Sequence, residues 1–396
     1  METVADISAW AYACTPPLVR DIAIPDERAV APPPYGADYP ASLLVPRGRP
    51  SELAGRVRGR MLSDLKGLEP PLFAMRSDAV DGSPGRLISW HRASSWLADR
   101  HCEDVGNGLY VVLPEYALMQ MARSLSPARL ALLMCEACGI YTLAPQTARV
   151  TLVVRDLVDQ GVLTPGTVLG GDDYVREFAD ARGRRVAFAD AWGDDLGWRL
   201  CFDRLGNPTD LWKRSPLTSH ARLEEVVAEL RGARGIRTAS RALTLSCDGS
   251  ASPAESRALM MLCGPVREGG EGWPWPSINR RIDFDEQAKR LAGTTYAIAD
   301  AVWMKQRIIL EVNGFGSHAD RQGFHEQEGR TAALEHMGFT VVSLTYPQME
   351  DLELFESRTQ TLAERLGFPM KSRTHAFLTR REGLHRELFD GDSGVF

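Results

Sequence analysis

Residues 294–345 constrain the fold of this chain more than any other stretch. The segments TYAIADAVW and RIILEVN are rich in β-branched and aromatic residues and are separated by Met-Lys-Gln, a pattern that predicts a β-hairpin. If the turn centres on residues 305–306, Asp300 lies opposite Glu311, and directly paired residues point to the same face with Cβ atoms about 4.5–5.5 Å apart. Asn313 lies two residues beyond Glu311 and therefore shares that face.

The two acids of this hairpin lie among apolar neighbours, namely Ile298, Val302, Ile308, Ile309, Leu310 and Val312. Two carboxylates on a half-buried strand face repel each other and are costly to desolvate without a cation or a shared proton. A divalent metal resolves both problems, and Mg²⁺ commonly uses one or two carboxylates while it keeps several waters. The same spacing also fits a solvated outer face on which Asp300 and Glu311 meet only water.

The residues around the hairpin resemble the core of the PD-(D/E)xK nuclease superfamily, and more specifically its branch related to very-short-patch-repair endonucleases. The resemblance covers roughly residues 252–347, about a quarter of the chain. The matching positions are Asp300, Glu311, Val312, Asn313, Gly314, His318, Phe324, Arg330, Leu334, Gly338, Phe339, Val341 and Thr345, with Ser252, Pro253 and Glu255 upstream.

This resemblance implies a restriction-endonuclease-like mixed sheet flanked by helices and a metal-dependent hydrolysis of DNA phosphodiester bonds, in repair or in defence against mobile elements. It implies that Asp300 and Glu311 hold Mg²⁺ (or Mn²⁺), that Glu255 reaches the metal site from the opening helix, and that DNA is the partner. Histidine titrates near neutral pH, so His318 is the expected general acid or base. The implied catalytic residues are Glu255, Asp300, Glu311, Asn313 and His318.

Two departures from the family pattern keep a second function open. Asn313 stands where the family usually has Asp and the wider superfamily has Lys, and an amide cannot act as a base at neutral pH. The following helix has Gln327 and Gly329 in place of a dense Asp-Arg-x-Arg run. Residues 111–143 also loosely resemble abortive-infection antitoxin-like proteins. The alternative is therefore a catalytically decayed, nuclease-like DNA-binding or antitoxin-like regulatory module.

Two further zinc sites are conceivable from residue types. Cys135 and Cys138 form a lone C-x-x-C inside an apolar helix, a pattern that fits a zinc or redox site but is more typical of buried core cysteines. His318 and His325 form a weaker alternative.

The charge of the whole chain argues against a protein that coats DNA non-specifically. Its 396 residues carry a formal net charge of −6, with a pI of about 5.8. A local basic groove remains compatible with this balance. The run RGARGIRTASRALTL has four arginines and no acid, and it predicts either a solvated helix face or a phosphate-contacting patch.

Cysteine usage and hydropathy indicate a cytoplasmic protein with no membrane segment. Seven cysteines without regular spacing do not predict a disulfide framework, which fits a reducing compartment. The N-terminus has no basic-then-apolar pattern typical of a signal peptide. The most apolar region, residues 128–144, is interrupted by Glu136 and does not predict a transmembrane span.

Composition shifts along the chain predict an α/β protein with five segments. Residues 1–50 form a Pro-rich arm, and residues 51–175 form a mixed α/β and helical region whose three helices and strand also fit a winged helix. Residues 176–247 are a connecting segment with a basic helix. Residues 248–370 are the nuclease-like domain, and residues 371–396 are a charged tail.

Overall fold

The computed structural model describes residues 2–16, 19, 68, 72–76, 88–105, 109–169, 178–179, 185–186, 197–203, 205–313 and 321–389, and only the backbone of residues 2, 76, 178–179, 185–186 and 321–327. Most of the predicted Pro-rich arm lies outside these residues, and so do His318 and the last seven positions of the predicted tail. Within the described residues, no helix is both long and apolar enough to span a membrane.

The N-terminal half contains a five-stranded mixed sheet. Its strands are β1 Glu2–Val4, β2 Leu72–Arg76, β3 Ile88–Arg92, β4 Cys102–Asp104 and β5 Leu109–Val112, in the order β3-β2-β1-β5-β4. Strand β1 runs parallel to β5 and antiparallel to β2, while β2 and β3 are parallel. Helix α1, Asp6–Cys14, buries Trp10 against this sheet and against the helix that follows β5.

A helical layer continues from this sheet. It comprises α2 Pro114–Met121, α3 Pro127–Cys138 and α4 Ala148–Asp159. Proline at the first turn of α2 and α3 costs no hydrogen bond, because that N–H has no partner within a helix. Ser126 and Thr147 cap α3 and α4 by accepting backbone N–H groups of the first turn.

Short strands follow α3 and α4. Strands β6 Tyr141–Leu143, β9 Arg199–Phe202 and β10 Pro208–Lys213 form an antiparallel sheet in the order β6-β10-β9, and β7 Phe178–Ala179 pairs separately with β8 Arg185–Val186. Trp212 of β10 is buried against Val150 and Val154 of α4. The layer therefore has a small sheet of its own beside the helices.

The basic run, residues 231–245, contains the second helix of a pair. Helix α5 is His220–Glu229 and α6 is Ile236–Leu243, and α6 packs against α3 through Ala239 and Ala242. Gly235 adopts φ 91°, and a Cβ there would lie 3.0 Å from backbone atoms of Ala122 and Arg123. Only glycine permits both this left-handed backbone and this close approach.

A four-stranded mixed sheet organises the C-terminal half. Its strands are β11 Ser277–Asp283, β12 Tyr296–Trp303, β13 Ile308–Asn313 and β14 Thr340–Thr345, in that order. The first three are antiparallel, and β14 runs parallel to β13 after a helical crossover. The predicted hairpin of β12 and β13 is confirmed at the centre of the sheet, and the α/β class is confirmed with it.

Helices cover both faces of this sheet. They are α7 Pro253–Cys263, α8 Glu286–Ala292, α9 Arg321–His336, α10 Tyr346–Glu350, α11 Leu352–Leu366 and α12 His375–Phe389. Leu310 and Val342 belong to a core shared with α7 and α11, whereas Val302 and Ile309 pack with Ala333 and Leu334 of α9. The alternation of strand side chains between two faces explains this division.

Helix α12 occupies most of the segment predicted to be a charged tail. Phe377 and Leu388 are buried, and Arg381 is 1% exposed. The Arg381 guanidinium donates from Nε to Glu356 at 2.8 Å and lies 3.6 Å from the buried Glu271 carboxylate. A long side chain with such partners can be buried, so the charges of this segment serve packing as well as solvation.

Candidate functional site

The hairpin register brings the two predicted metal ligands together. The paired positions Ala301↔Leu310, Val302↔Ile309 and Trp303↔Ile308 centre the turn on residues 305–306, as predicted, and Asp300 and Glu311 lie directly beyond the last of these pairs. The Val312 N–H donates to Asp300 Oδ2 at 2.7 Å. Both acids are half-buried, which differs from a fully solvated strand face.

Glu255 is fixed at the start of α7. Ser252 caps the helix by accepting the Glu255 N–H, and its hydroxyl donates to Glu255 Oε1 at 2.8 Å. Glu255 Oε2 accepts the Ala251 N–H at 2.8 Å and the Asn279 amide at 2.9 Å. The Ser-Pro-x-Glu sequence thus forms a capping arrangement that buries a carboxylate and immobilises it.

The three carboxylates behave as one electrostatic cluster. Burial raises the pKa of Asp300 well above its usual value, and the charges of Glu255 and Glu311 raise it further. Burial also raises the pKa of Glu311 to about 7, with a further contribution from the charge of Glu255. The ionised forms of Asp300 and Glu311 are therefore destabilised, and such pKa shifts are common at functional sites.

Arg330 of α9 supplies positive charge to the cluster. Its Nη2 donates to Glu311 Oε1 at 2.9 Å and Oε2 at 3.0 Å, and it also donates to the Ile298 carbonyl. The guanidinium lowers the pKa of both Asp300 and Glu311, but burial outweighs it. The motif identified Arg330 as a family position, whereas nothing in the local sequence indicated that its partner is Glu311.

Asn279 is a second residue of this site that the sequence did not indicate. It adopts φ 46°, a left-handed conformation that asparagine tolerates better than most residues. Its amide nitrogen donates to the Gly249 carbonyl at 2.8 Å and to Glu255 Oε2 at 2.9 Å. Asn279 therefore links the first strand of the sheet to the start of α7.

Of the remaining predicted site residues, the structure describes Asn313 but not His318. Asn313 ends β13, is half-buried and pairs with Thr345 of β14. By strand periodicity it shares a face with Glu311. His318 lies outside the described residues, and the same holds for the side chain of His325, so the zinc alternative at these two histidines lies there too.

Metal ligation depends on the hairpin pair. Among the described residues, no group of three or more His, Cys, Asp and Glu side chains is arranged to hold a metal ion. Mg²⁺ commonly takes only one or two carboxylates, and buried acids whose charges oppose each other suit a cation. Asp300 and Glu311 supply two carboxylates of this kind.

The C-x-x-C cysteines are core residues. Cys135 and Cys138 are both buried, and Cys135 Sγ lies 4.0 Å from Cys247 Sγ. Burial and the charge of Asp248 raise the pKa of Cys138 well above its usual value, which disfavours the thiolate that a metal or redox site needs.

Comparison with protein-family models, curated proteins and solved structures gives no match for this chain. The chemistry and geometry of the residues themselves are therefore the basis for assigning a function.

Proposed function

We propose that this protein is a metal-dependent endonuclease-like enzyme that hydrolyses DNA phosphodiester bonds, in a restriction-endonuclease-like C-terminal domain. The observation that carries the proposal is that the buried Glu255 of α7 and the half-buried Asp300 and Glu311 of the central hairpin lie near enough for their charges to act on one another. The raised pKa of Asp300 and of Glu311 supports it, because acids whose pKa is shifted by burial and by neighbouring charges are frequent at functional sites.

The roles of the residues follow from their chemistry. Asp300 and Glu311 would hold Mg²⁺ (or Mn²⁺), which when bound supplies charge stabilisation at phosphorus and a more acidic water. Glu255 adds negative charge beside them from a position fixed by three hydrogen bonds. The Asn313 amide would form hydrogen bonds at the site, and it cannot act as a base. His318 is the proposed general acid or base.

The arrangement around Glu311 favours a second candidate, a nuclease-like DNA-binding module without catalysis. The Arg330 guanidinium contacts both oxygens of Glu311, so a cation from the chain itself already compensates one of the two proposed ligands. Asn313 stands two residues after Glu311, where the resembled family usually has a further acid. In this alternative, the carboxylate cluster is a remnant and the protein binds DNA for regulation.

DNA cleavage distinguishes the two candidates. Supercoiled plasmid, linear duplex and single-stranded DNA would be incubated with wild-type protein in Mg²⁺ or Mn²⁺, beside Asp300→Asn and Asp283→Asn. Asp283 lies on the neighbouring strand, and its exposed carboxylate is a matched control. The enzyme proposal expects cleavage by the wild type and the control, and loss of at least about 100-fold in Asp300→Asn. DNA binding that all three proteins share, without cleavage, would favour the second candidate.

A further inference from the structure

A cavity in the N-terminal half, remote in sequence from the carboxylate cluster, has the size and lining of a ligand site. Its volume is about 560 Å³, within the range of small-molecule sites. It lies where the start of α1, strands β2 and β3, the α2–α3 loop and the loop before α6 meet. The lining residues used below are Asp6, Phe73, His91, Arg123, Arg129 and Arg234.

The cavity concentrates positive charge in an acidic protein. Among the described residues that line it, three are arginines and one is an acid, although the whole chain has a net charge of −6. Arg123 Nη2 lies 3.4 Å from Asp6 Oδ2 and is partly compensated. Arg129 and Arg234 are exposed, and among the residues that the structure describes neither side chain forms an ion pair. Two guanidinium groups are therefore available for an anion, and arginine matches phosphate geometry especially well.

Two stacked aromatic rings line one wall of the cavity. Phe73 of β2 and His91 of β3 stack with centroids 5.6 Å apart and an interplanar angle of 10°. The parallel register, in which Met75 pairs with His91, brings them to the same sheet face. His91 Nε2 lies 3.2 Å from Ser89 Oγ, which fixes the ring. Both rings line the cavity and are only partly buried, so part of their surface is accessible to a planar group.

The inner side of the cavity is rigid. Gln120 is 1% exposed, and its Oε1 accepts the Asp6 N–H at 2.8 Å. Asp6 adopts φ 55°, a conformation uncommon outside glycine, and its Oδ1 accepts the Ile7 N–H at 3.0 Å. These bonds hold the acid beside Arg123, so this part of the cavity is preorganised.

We propose that this cavity binds a nucleoside phosphate, with Arg129 and Arg234 on the phosphate groups and the Phe73–His91 pair beside the base. A phosphate alone would account for the arginines but not for the ring wall, and an apolar ligand would leave the arginines uncompensated. The proposal goes beyond the nuclease proposal and does not depend on it, because it uses none of the carboxylate residues.

Calorimetric titration of ADP, with EDTA present, tests the arginines. The wild type should bind about one ADP per chain, and the Arg129→Gln/Arg234→Gln double variant should bind at least about tenfold more weakly, since it loses the charge-assisted hydrogen bonds to the phosphates. The matched control is Arg237→Gln, which removes the same charge from an exposed position of α6 that does not line the cavity. Its affinity should stay within about twofold of the wild type, and so should that of Asp300→Asn.

Pyrophosphate and an oligonucleotide complete the test. Phe73→Leu should weaken ADP binding about tenfold while pyrophosphate binding is unchanged, because only ADP has a base to stack on the ring. Circular dichroism checks the fold of each variant, and Arg129→Gln alone replaces the double variant if that variant unfolds. Absence of ADP binding, pyrophosphate binding as tight as that of ADP, or an equal loss in Arg237→Gln would overturn the proposal. Arginine-dependent binding of a thymidine oligonucleotide without ADP binding would overturn it as well.

Discussion

The Nη2 atom of Arg330 lies 2.9 Å from Oε1 and 3.0 Å from Oε2 of Glu311. One donor thus bridges the two oxygens of a carboxylate that is a proposed metal ligand. A divalent ion and this guanidinium compete for the same negative charge, and the outcome distinguishes an active metal site from a cluster that the chain itself has neutralised.

Removing the guanidinium should therefore strengthen metal binding and weaken the fold. We expect Arg330→Gln to bind Mn²⁺ several-fold more tightly than the wild type. The variant should lose about 1 kcal/mol of unfolding free energy at pH 8, a modest loss because Arg330 is 37% exposed. Calorimetry and urea denaturation measure the two effects. Arg365→Gln, at an exposed position of α11, is the control, and unchanged Mn²⁺ affinity in Arg330→Gln would contradict the competition.

The raised pKa of Glu311 predicts a stability that falls as pH rises. Below the usual glutamate pKa, the folded and unfolded chains both keep the proton, and no penalty arises. Between that value and about 7, the unfolded chain ionises Glu311 while the folded chain does not, so ionisation favours unfolding. The full penalty is present above pH 7.

Glu311→Gln removes this titration. Its unfolding free energy relative to the wild type should therefore rise by roughly 2 kcal/mol between pH 5 and pH 8 in metal-free buffer. Urea denaturation at both pH values measures the change. Glu335→Gln, at an exposed position of α9, should show no comparable trend. If the difference in unfolding free energy between Glu311→Gln and the wild type is independent of pH, the pKa of Glu311 is not raised.

Glu255→Gln tests whether the three carboxylates form one cluster. The charge of Glu255 raises the pKa of both Asp300 and Glu311, so its removal should lower both. Carboxyl ¹³C NMR titration of Glu311 would detect the shift. The variant should also lose about 1 kcal/mol of stability, because its side chain keeps only part of the hydrogen bonding to Ala251, Ser252 and Asn279. If the titration midpoint of Glu311 is identical in the wild type and in Glu255→Gln, the charge of Glu255 does not act on Glu311.

Much of this site could be predicted from the sequence because the hairpin encodes it locally. Strand periodicity and a turn of fixed length determine that Asp300 faces Glu311, and the Ser252 cap determines where Glu255 lies on α7. The partner of Arg330 could not be predicted, since it depends on how α9 returns across the sheet. The role of Asn279 could not be predicted either, because its hydrogen bond to Glu255 joins segments that only tertiary packing brings together.

Gly329 shows how a departure from a motif can have a packing cause. In the sequence, Gly329 stands within the run where the resembled nuclease family has dense charged residues. In the structure, a Cβ at this position would lie 2.7 Å from the Leu291 carbonyl oxygen. The close approach of α8 and α9 thus requires glycine, and the neighbouring Arg330 reaches Glu311 from the helix that this contact positions.

Gly329→Ala should consequently destabilise the protein by roughly 1–3 kcal/mol, although alanine is the better helix former. Gly383→Ala is the matched control, because it lies in α12 with no atom within 4 Å of the added Cβ. That control should be stabilised by about 0.5–1 kcal/mol. Thermal denaturation of both variants gives the comparison, and a Gly329→Ala protein as stable as the control would show that α9 can move away from α8 at little cost.

The most direct test of the proposed site is calorimetric titration of Mg²⁺ and Mn²⁺ at pH 8, above the Glu311 pKa of about 7. The wild type should bind about one ion per chain, and Asp300→Asn should bind at least about tenfold more weakly, while Asp283→Asn should match the wild type. Equal affinity in the wild type and Asp300→Asn, or no binding by the wild type, would contradict a metal site formed by Asp300 and Glu311.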